Sequence, residues 1–156
     1  MWQMRSFRPS DQAAVQALIN AGLGQRFGKL DESANLDIRD IKANYVDQDA
    51  VFLVVEDDKG TVIGCGALIH ENNSDEIARI VRVSVIEAWQ GHGLGKAISL
   101  RLISGAREKG YQRVLVETNS DWTSALRLYQ GCGFVEYDRT LEKTYGFKEV
   151  HMQLEL

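Results

Sequence analysis

Proline is almost absent from this sequence: among 156 residues only Pro9 occurs. No proline-rich linker therefore divides the chain, and no repeat or low-complexity tract is present. Cysteine is nearly as scarce. Cys65 lies in an apolar run and Cys132 lies between two glycines. Neither has a second Cys or His at ligand spacing, so two free thiols in a reducing cytosol are expected, with no metal. No apolar run approaches the roughly 20 residues of a membrane-spanning helix. The opening Met-Trp-Gln-Met-Arg-Ser-Phe-Arg-Pro lacks the apolar region of a signal peptide. The expected location is cytoplasmic, with no membrane partner. A basic excess is missing too: 18 Lys and Arg face 22 Asp and Glu, for a net charge of -4. Nucleic-acid binders normally carry the opposite balance, because affinity comes from released phosphate counterions, so no nucleic-acid partner is expected.

What is present suits an ordinary folded protein. Apolar residues make up 44% of the chain and charged residues 26%, which argues against disorder. The length fits one domain over 1–156 with one full core. Residues 2–8 read as a short strand. Ser10 or Asp11 then caps a helix with Ala14, Val15, Leu18 and Ile19 on one face, and Gly22 and Gly24 end it. Residues 23–36 read as irregular and polar, long enough for a connection to suggest function. Asp37 is expected to cap a second helix with Ile38, Ile41 and Tyr45 on one side. The run Val51–Val55 is continuously apolar and fits a strand buried on both faces. Turns at 57–60 and 71–75 frame two more strands, Thr61–His70 and Ile77–Val85. In the latter, Ile77, Arg79, Val81, Val83 and Val85 should share one face, with Ala78, Ile80, Arg82 and Ser84 on the other. A helix over about 93–109 carries Leu94, Ile98, Leu102 and Ala106, and Gly110 closes it. Arg113–Thr118 reads as a strand, Thr123–Gln130 as a short helix, and Phe134 to about Leu154 as two strands.

The predicted order is β-α-α-β-β-β-α-β-α-β-β. Three strands joined by tight turns form an antiparallel meander, and the unit 77–85, 93–109, 113–118 forms a right-handed crossover. The expected class is α/β, a mixed central sheet with helices on both faces.

Between strand 77–85 and the next helix lies Gln90-Gly-His-Gly-Leu-Gly-Lys96. Amides at a helix start are unpaired, and with the helix dipole they favour an anion. Glycine lets phosphate approach them closely. A dinucleotide fingerprint needs glycine at position 96, where Lys96 stands, although Glu117 roughly answers its distal acid. A P-loop needs glycine at Gln90 and a hydroxyl at Ala97. Both patterns fail on those residues, while a ligand-free glycine turn stays open.

Gln90, Gly93 and Gly95 do fit Gln/Arg-x-x-Gly-x-Gly/Ala. One helix and one strand later, Ala125–Phe134 fits Ala-x-x-Leu-Tyr-x-x-x-Gly-Phe. On these segments the chain resembles the GNAT superfamily of N-acetyltransferases, of bacterial type. The resemblance is strong over about 79–134, and the remainder agrees in element order. It implies a GNAT-like sheet with a V-shaped splay between the fourth and fifth strands, here Ile77–Val85 and Arg113–Thr118. It implies acetyl-CoA as co-substrate, with Gln90, Gly91, His92, Gly93, Leu94, Gly95 and Lys96 around its pyrophosphate. Backbone groups of Val83 and Val85 would hold the pantetheine amides like an added strand. The amide near Val83–Ser84 would steady the developing oxyanion. Asn119 and Ser124 would line the opposite wall.

The resemblance also implies that Tyr129 gives a proton to the departing thiolate. With a phenol near 10 and a thiol near 8.5, that transfer is uphill by roughly 2 kcal/mol. Packing of the Tyr129 ring on the sheet is the plain alternative. Many relatives carry a basic Glu on the fourth strand where this chain has Arg79, so Glu117 is assigned as the base, with Glu76 as a weaker substitute. Trp122 stands where many relatives have Asn, and it either walls the cofactor cleft, lids the acceptor site or fills core. His70 and His151 receive no role.

Acceptor choice would fall to segments 23–40 and 138–148. The first carries Arg26, Lys29, Asp31, Glu32, Asn35, Asp37 and Arg39, a mixture that names no substrate. The expected activity is acetyl transfer to a primary amine of a small molecule or peptide by direct attack in a ternary complex. A non-catalytic acyl-CoA sensor or partner module is the alternative, another acyl donor stays open, and so does a homodimer.

Overall fold

Alternating and continuous apolar runs build seven strands into one sheet of order β1-β2-β3-β4-β5-β7-β6. The computed structural model describes residues 1–27, 35–72, 74–143 and 146–156. The strands are β1 (Trp2–Ser6), β2 (Val51–Asp57), β3 (Val62–His70), β4 (Ile77–Val85), β5 (Arg113–Asn119), β6 (Val135–Leu141) and β7 (Lys148–Glu155). All neighbours run antiparallel except β4 and β5. The helices are α1 (Gln12–Phe27), α2 (Ile41–Asn44), α3 (Leu94–Glu108) and α4 (Thr123–Gly131). The expected order and mixed sheet are thus present.

The unbroken run in β2 serves both faces of the sheet. Leu53 and Val55 join the cluster under α3 and α4, while Phe52 and Val54 join the cluster under α1 and α2. On α3, Leu94, Ile98, Leu102 and Ala106 are all buried, as their spacing predicts. Among the described residues no helix is long and apolar enough to cross a membrane.

Three local expectations are corrected. Gly22 and Gly24 do not end α1, which continues to Phe27. Each glycine costs a helix about 1 kcal/mol relative to alanine, but tertiary contacts hold this last turn. Gln25 accepts a hydrogen bond from Gln90, and Phe27 packs on Trp122. Asp37 does not cap a helix. Residues 36–39 form a 3-10 turn, and Asp40 caps α2 by accepting from the Ala43 amide at 3.0 Å. Asp37 instead binds Arg82 and Tyr45. Ile38, Ile41 and Tyr45 are nonetheless buried together.

The third correction lies in β4. Cys65 pairs with Ser84 but Ala67 pairs with Val81, so Arg82 and Val83 stand together opposite Gly66. This is a β-bulge, with Arg82 at φ +58°. The extra residue reverses the phase of the strand. Val81 faces the α1 cluster, whereas Val83 and Val85 face the α3 cluster, so the five residues expected on one face are split. Arg82 is held in this unfavourable conformation by its side chain. Its Nε and Nη2 donate to the two oxygens of Asp37 at 3.0 and 2.6 Å, and Nη1 donates to Asn35 at 2.9 Å.

Opposite the bulge, Gly66 leaves room for α3. A methyl group there would lie 2.6 Å from Cγ2 of Ile98, a short branch that cannot swing away. Gly66→Ala is expected to cost about 1–3 kcal/mol through overpacking. For a chain of this length that lowers Tm by several degrees. Thermal unfolding measures it, and an unchanged Tm would show that the core yields there.

Candidate active site

β4 and β5 pair through Ile77–Arg113, Ala78–Val114 and Arg79–Leu115. Beyond Arg79 they part. The bulge turns β4 one way, while β5 stays zipped to β7 along Arg113–Asn119. The gap opens into a cleft of about 1010 Å³. Val83, Ser84 and Val85 line it from β4, and Glu117 lines it from β5. Gln90, Gly91, Gly93, Leu94, Gly95 and Lys96 line its end at the start of α3. Ser124 and Tyr129 of α4 form part of the remaining wall. Two predicted residues lie elsewhere. His92 is exposed outside the cleft with its ring 6.1 Å from that of Trp89. Asn119 lines a second cleft instead, and its side-chain oxygen accepts from the Asp121 amide at 2.8 Å. Glu76, also considered as a base, is exposed outside both clefts.

The glycines of the loop act for two separate reasons. Gly91 and Gly93 have φ +80° and +79°, where a side chain is strained, and the space beside each is open. Gly95 has an ordinary helical φ. A methyl group on it would meet Leu128 Cδ1 at 2.9 Å, so this glycine brings α3 against α4. Backbone conformation thus accounts for Gly91 and Gly93, and helix packing for Gly95. The side-chain amide of Gln90 donates to the Val85 carbonyl at 3.1 Å and so ties the loop to the end of β4.

Tyr129 is buried at 7% exposure but borders the cleft. Its ring packs edge-on to Phe134 at 5.7 Å. Burial pushes its phenol up to about 12, against the nearby Arg26 cation and a hydrogen bond with Ser99. Arg26 lies over the Trp122 ring at 4.4 Å, and burial lowers its pKa. Trp122 also packs against Phe27 and Phe147, with centroids 5.3 and 6.3 Å away.

The second cleft has a volume of about 690 Å³. It shares Ile80, Val81, Arg82, Glu117, Thr118 and Trp122 with the first, so the two clefts meet across one wall. Trp122 is therefore a divider between clefts. Glu117 also faces both. Arg79 binds Glu117 through Nη1 and Glu71 through Nε, the latter at 2.6 Å. Burial raises the Glu117 pKa, but hydrogen bonding with Glu149 and the charges of Arg79 and His151 outweigh it and leave Glu117 below its ordinary value. Glu149 is displaced the other way. Its hydrogen bond with Glu117, burial and the Glu117 charge push it up to about 7. His151 completes the group, with Nδ1 3.3 Å from Glu117 and Nε2 2.8 Å from Thr140 Oγ1.

Glu149 and His151 were not legible as site residues. Both lie in β7, and only the β5–β7 register, which sets Glu117 opposite His151, brings Glu149 to the second cleft and His151 against Glu117. Glu117, Glu149 and His151 could together hold a metal ion on geometry alone. Arg79 already supplies a cation to that group. In the segment 23–40, expected to choose the acceptor, Arg26, Asn35 and Asp37 reach the clefts. Lys29, Asp31 and Glu32 lie outside the described residues.

Comparison with known proteins agrees with this architecture. A family model described as the acetyltransferase (GNAT) family matches residues 14–134. Mycothiol acetyltransferase of Renibacterium salmoninarum is 28% identical over 145 residues, covering 91% of this chain and 43% of that protein. The chain thus spans less than half the length of that relative. The uncharacterized N-acetyltransferase YjgM of Escherichia coli is 28% identical over 144 residues, covering 88% of this chain and 84% of YjgM. A GNAT-family acetyltransferase structure from Staphylococcus aureus Mu50 superposes with a TM-score of 0.86 at 18% identity, covering 100% of this chain and 99% of that one. The structure of yncA, a putative acetyltransferase from Salmonella typhimurium with its cofactor acetyl-CoA, gives 0.80 at 22% identity, covering 100% and 94%.

Proposed function

The chain belongs to the GNAT acetyltransferase family, and from that premise we propose that it moves an acetyl group from acetyl-CoA to a primary amine by direct attack in a ternary complex. The observation that carries this reading is the shared wall between the two clefts. A donor in the first and an acceptor in the second would meet beside Glu117 and the β4 bulge.

The residues present suit acetyl-CoA. Open space beside Gly91 and Gly93 gives a phosphate access to the first amides of α3, and Lys96 adds a charge. When bound, acetyl-CoA supplies a thioester whose carbonyl the amine attacks. The Val83–Ser84 amides, just past the bulge, would stabilise charge growing on the carbonyl oxygen. Val83 and Val85 backbone groups and Ser124 would hold the donor's arm. Tyr129 would donate a hydrogen bond to the departing sulfur. The Glu117–Glu149 pair would take the amine's proton. Glu117 alone is a weak base, because Arg79 favours its ionised form. Glu149, hydrogen-bonded to it, is poised near neutral pH. The fitting location is the cytoplasm, where the thiols of Cys65 and Cys132 stay reduced.

Arg79 also favours a second reading. It stands where many relatives have the base and it engages Glu117, so a module that binds acyl-CoA without turnover has the same fold. Thiol release from acetyl-CoA with a panel of primary amines, beside calorimetric titration with acetyl-CoA, separates the two. Amine-dependent release supports the enzyme. Binding without release on every amine supports the module. Absence of binding sinks both.

A further inference from the structure

We infer that the second cleft selects a primary amine with a flat, apolar aromatic body and no carboxylate beside the amine. This rests on the acetyl-transfer reading above for its location, and on three observations for its chemistry.

The first is the wall. Phe27, Trp122 and Phe147 all line this cleft. Phe27 and Phe147 stack at 5.9 Å with planes 27° apart, and Trp122 leans on both. Such a wall offers a planar ligand face and edge contacts that an alkyl chain uses less well.

The second is charge. Among the described residues the cleft is lined by four carboxylates, Asp37, Glu117, Glu142 and Glu149, against two guanidiniums, Arg79 and Arg82. Such an excess attracts an ammonium and repels an acid.

The third is how those guanidiniums are used. Arg79 is bound to Glu71 and Glu117, and Arg82 is clamped by Asp37 and Asn35 while it holds the bulge. A free amino acid needs a cation for its own carboxylate. Among the described residues that line this cleft it can obtain one only by breaking an existing pair and leaving another carboxylate uncompensated. Arg26 is no substitute, because it lies on the first-cleft side of Trp122. An ammonium without a carboxylate meets no such cost. It would also relieve the repulsion that lifts Glu149.

Matched ligands test this directly. Phenethylamine and phenylalanine share a skeleton and differ by the carboxylate, whereas butylamine keeps the amine and lacks the ring. Calorimetric titration of the protein, with coenzyme A present, is expected to give phenethylamine at least tenfold tighter binding than either. Phe147→Ala should remove most of its advantage over butylamine. Equal or tighter binding of phenylalanine overturns the proposal. So does equal binding of butylamine, or no binding of phenethylamine at millimolar concentration. Because binding is the readout, the two readings fail separately. Phenethylamine that binds without being acetylated counts against acetyl transfer. Other amines acetylated while phenethylamine does not bind count against the selectivity.

Discussion

Tyr129→Phe is expected to lower kcat by about 10²- to 10³-fold while the KM for acetyl-CoA changes little. The substitution removes only the hydroxyl. The ring still fills its place against Phe134 and only the hydrogen bond with Ser99 is lost, so Tm should fall by no more than a few degrees. Burial pushes the phenol up to about 12. A departing thiol sits near 8.5, so full proton transfer is uphill by roughly 5 kcal/mol rather than the roughly 2 kcal/mol of unperturbed groups. In the proposed reaction the hydroxyl would therefore act chiefly as a hydrogen-bond donor to charge growing on sulfur. A donor of that kind is worth about 3–4 kcal/mol in the transition state, which is the predicted loss in rate. Since Tyr129 stays protonated at every working pH, it adds no falling limb to the pH profile below about pH 11. Retention of more than half of kcat by the variant would remove Tyr129 from the reaction.

Glu149→Gln is expected to lower the amine kcat/KM by about 10²-fold and to displace the rising limb of its pH profile. In the wild type, Glu149 near 7 keeps a proton at lower pH, and only the weakly basic Glu117 is then left to accept one. The rate therefore rises as pH passes about 7. In the variant Glu117 is left beside Arg79 and His151, and the limb should move to lower pH with a smaller maximum. An unchanged limb would dismiss Glu149 as the proton acceptor. Stability should move the opposite way. A carboxylate raised in the folded state contributes stability fully below its ordinary value near 4.5, and that contribution is lost as pH rises through about 7. At pH 8 the pair carries two charges beside each other, so Glu149→Gln should raise Tm there and matter less at pH 5. Thermal unfolding at the two pH values checks the sign. A base kept at the expense of stability is a common feature of active sites.

The sequence by itself determined the strand and helix order, because period-two and 3.6-residue patterns are local properties of β2, β4 and α3. It also determined the glycine loop before α3 and the Leu128-Tyr129…Gly133-Phe134 segment, since both are short and contiguous. Glu117 was legible as an acid on the right strand, but its partners were not. Arg79, Glu149 and His151 reach it from β4 and β7, through pairings between residues about 30 to 40 positions apart. The extension of α1 through Gly22 and Gly24 was hidden for a similar reason. Local propensity opposes it, and contacts with Gln90 and Trp122 decide it.

The bulge shows the division most clearly. Nothing in Arg82-Val83-Ser84 announces a residue at positive φ, and strict alternation put Val81 and Val83 on one face. The conformation is stable only because Asp37 and Asn35, more than forty positions earlier, grip the guanidinium. That grip holds the bulge that reverses the strand, and beyond it Val83, Ser84 and Val85 line the gap from β5. Sequence supplied the pieces that line the first cleft. Only the tertiary structure, through long-range ion pairs and sheet register, set an aromatic and acidic second cleft beside it.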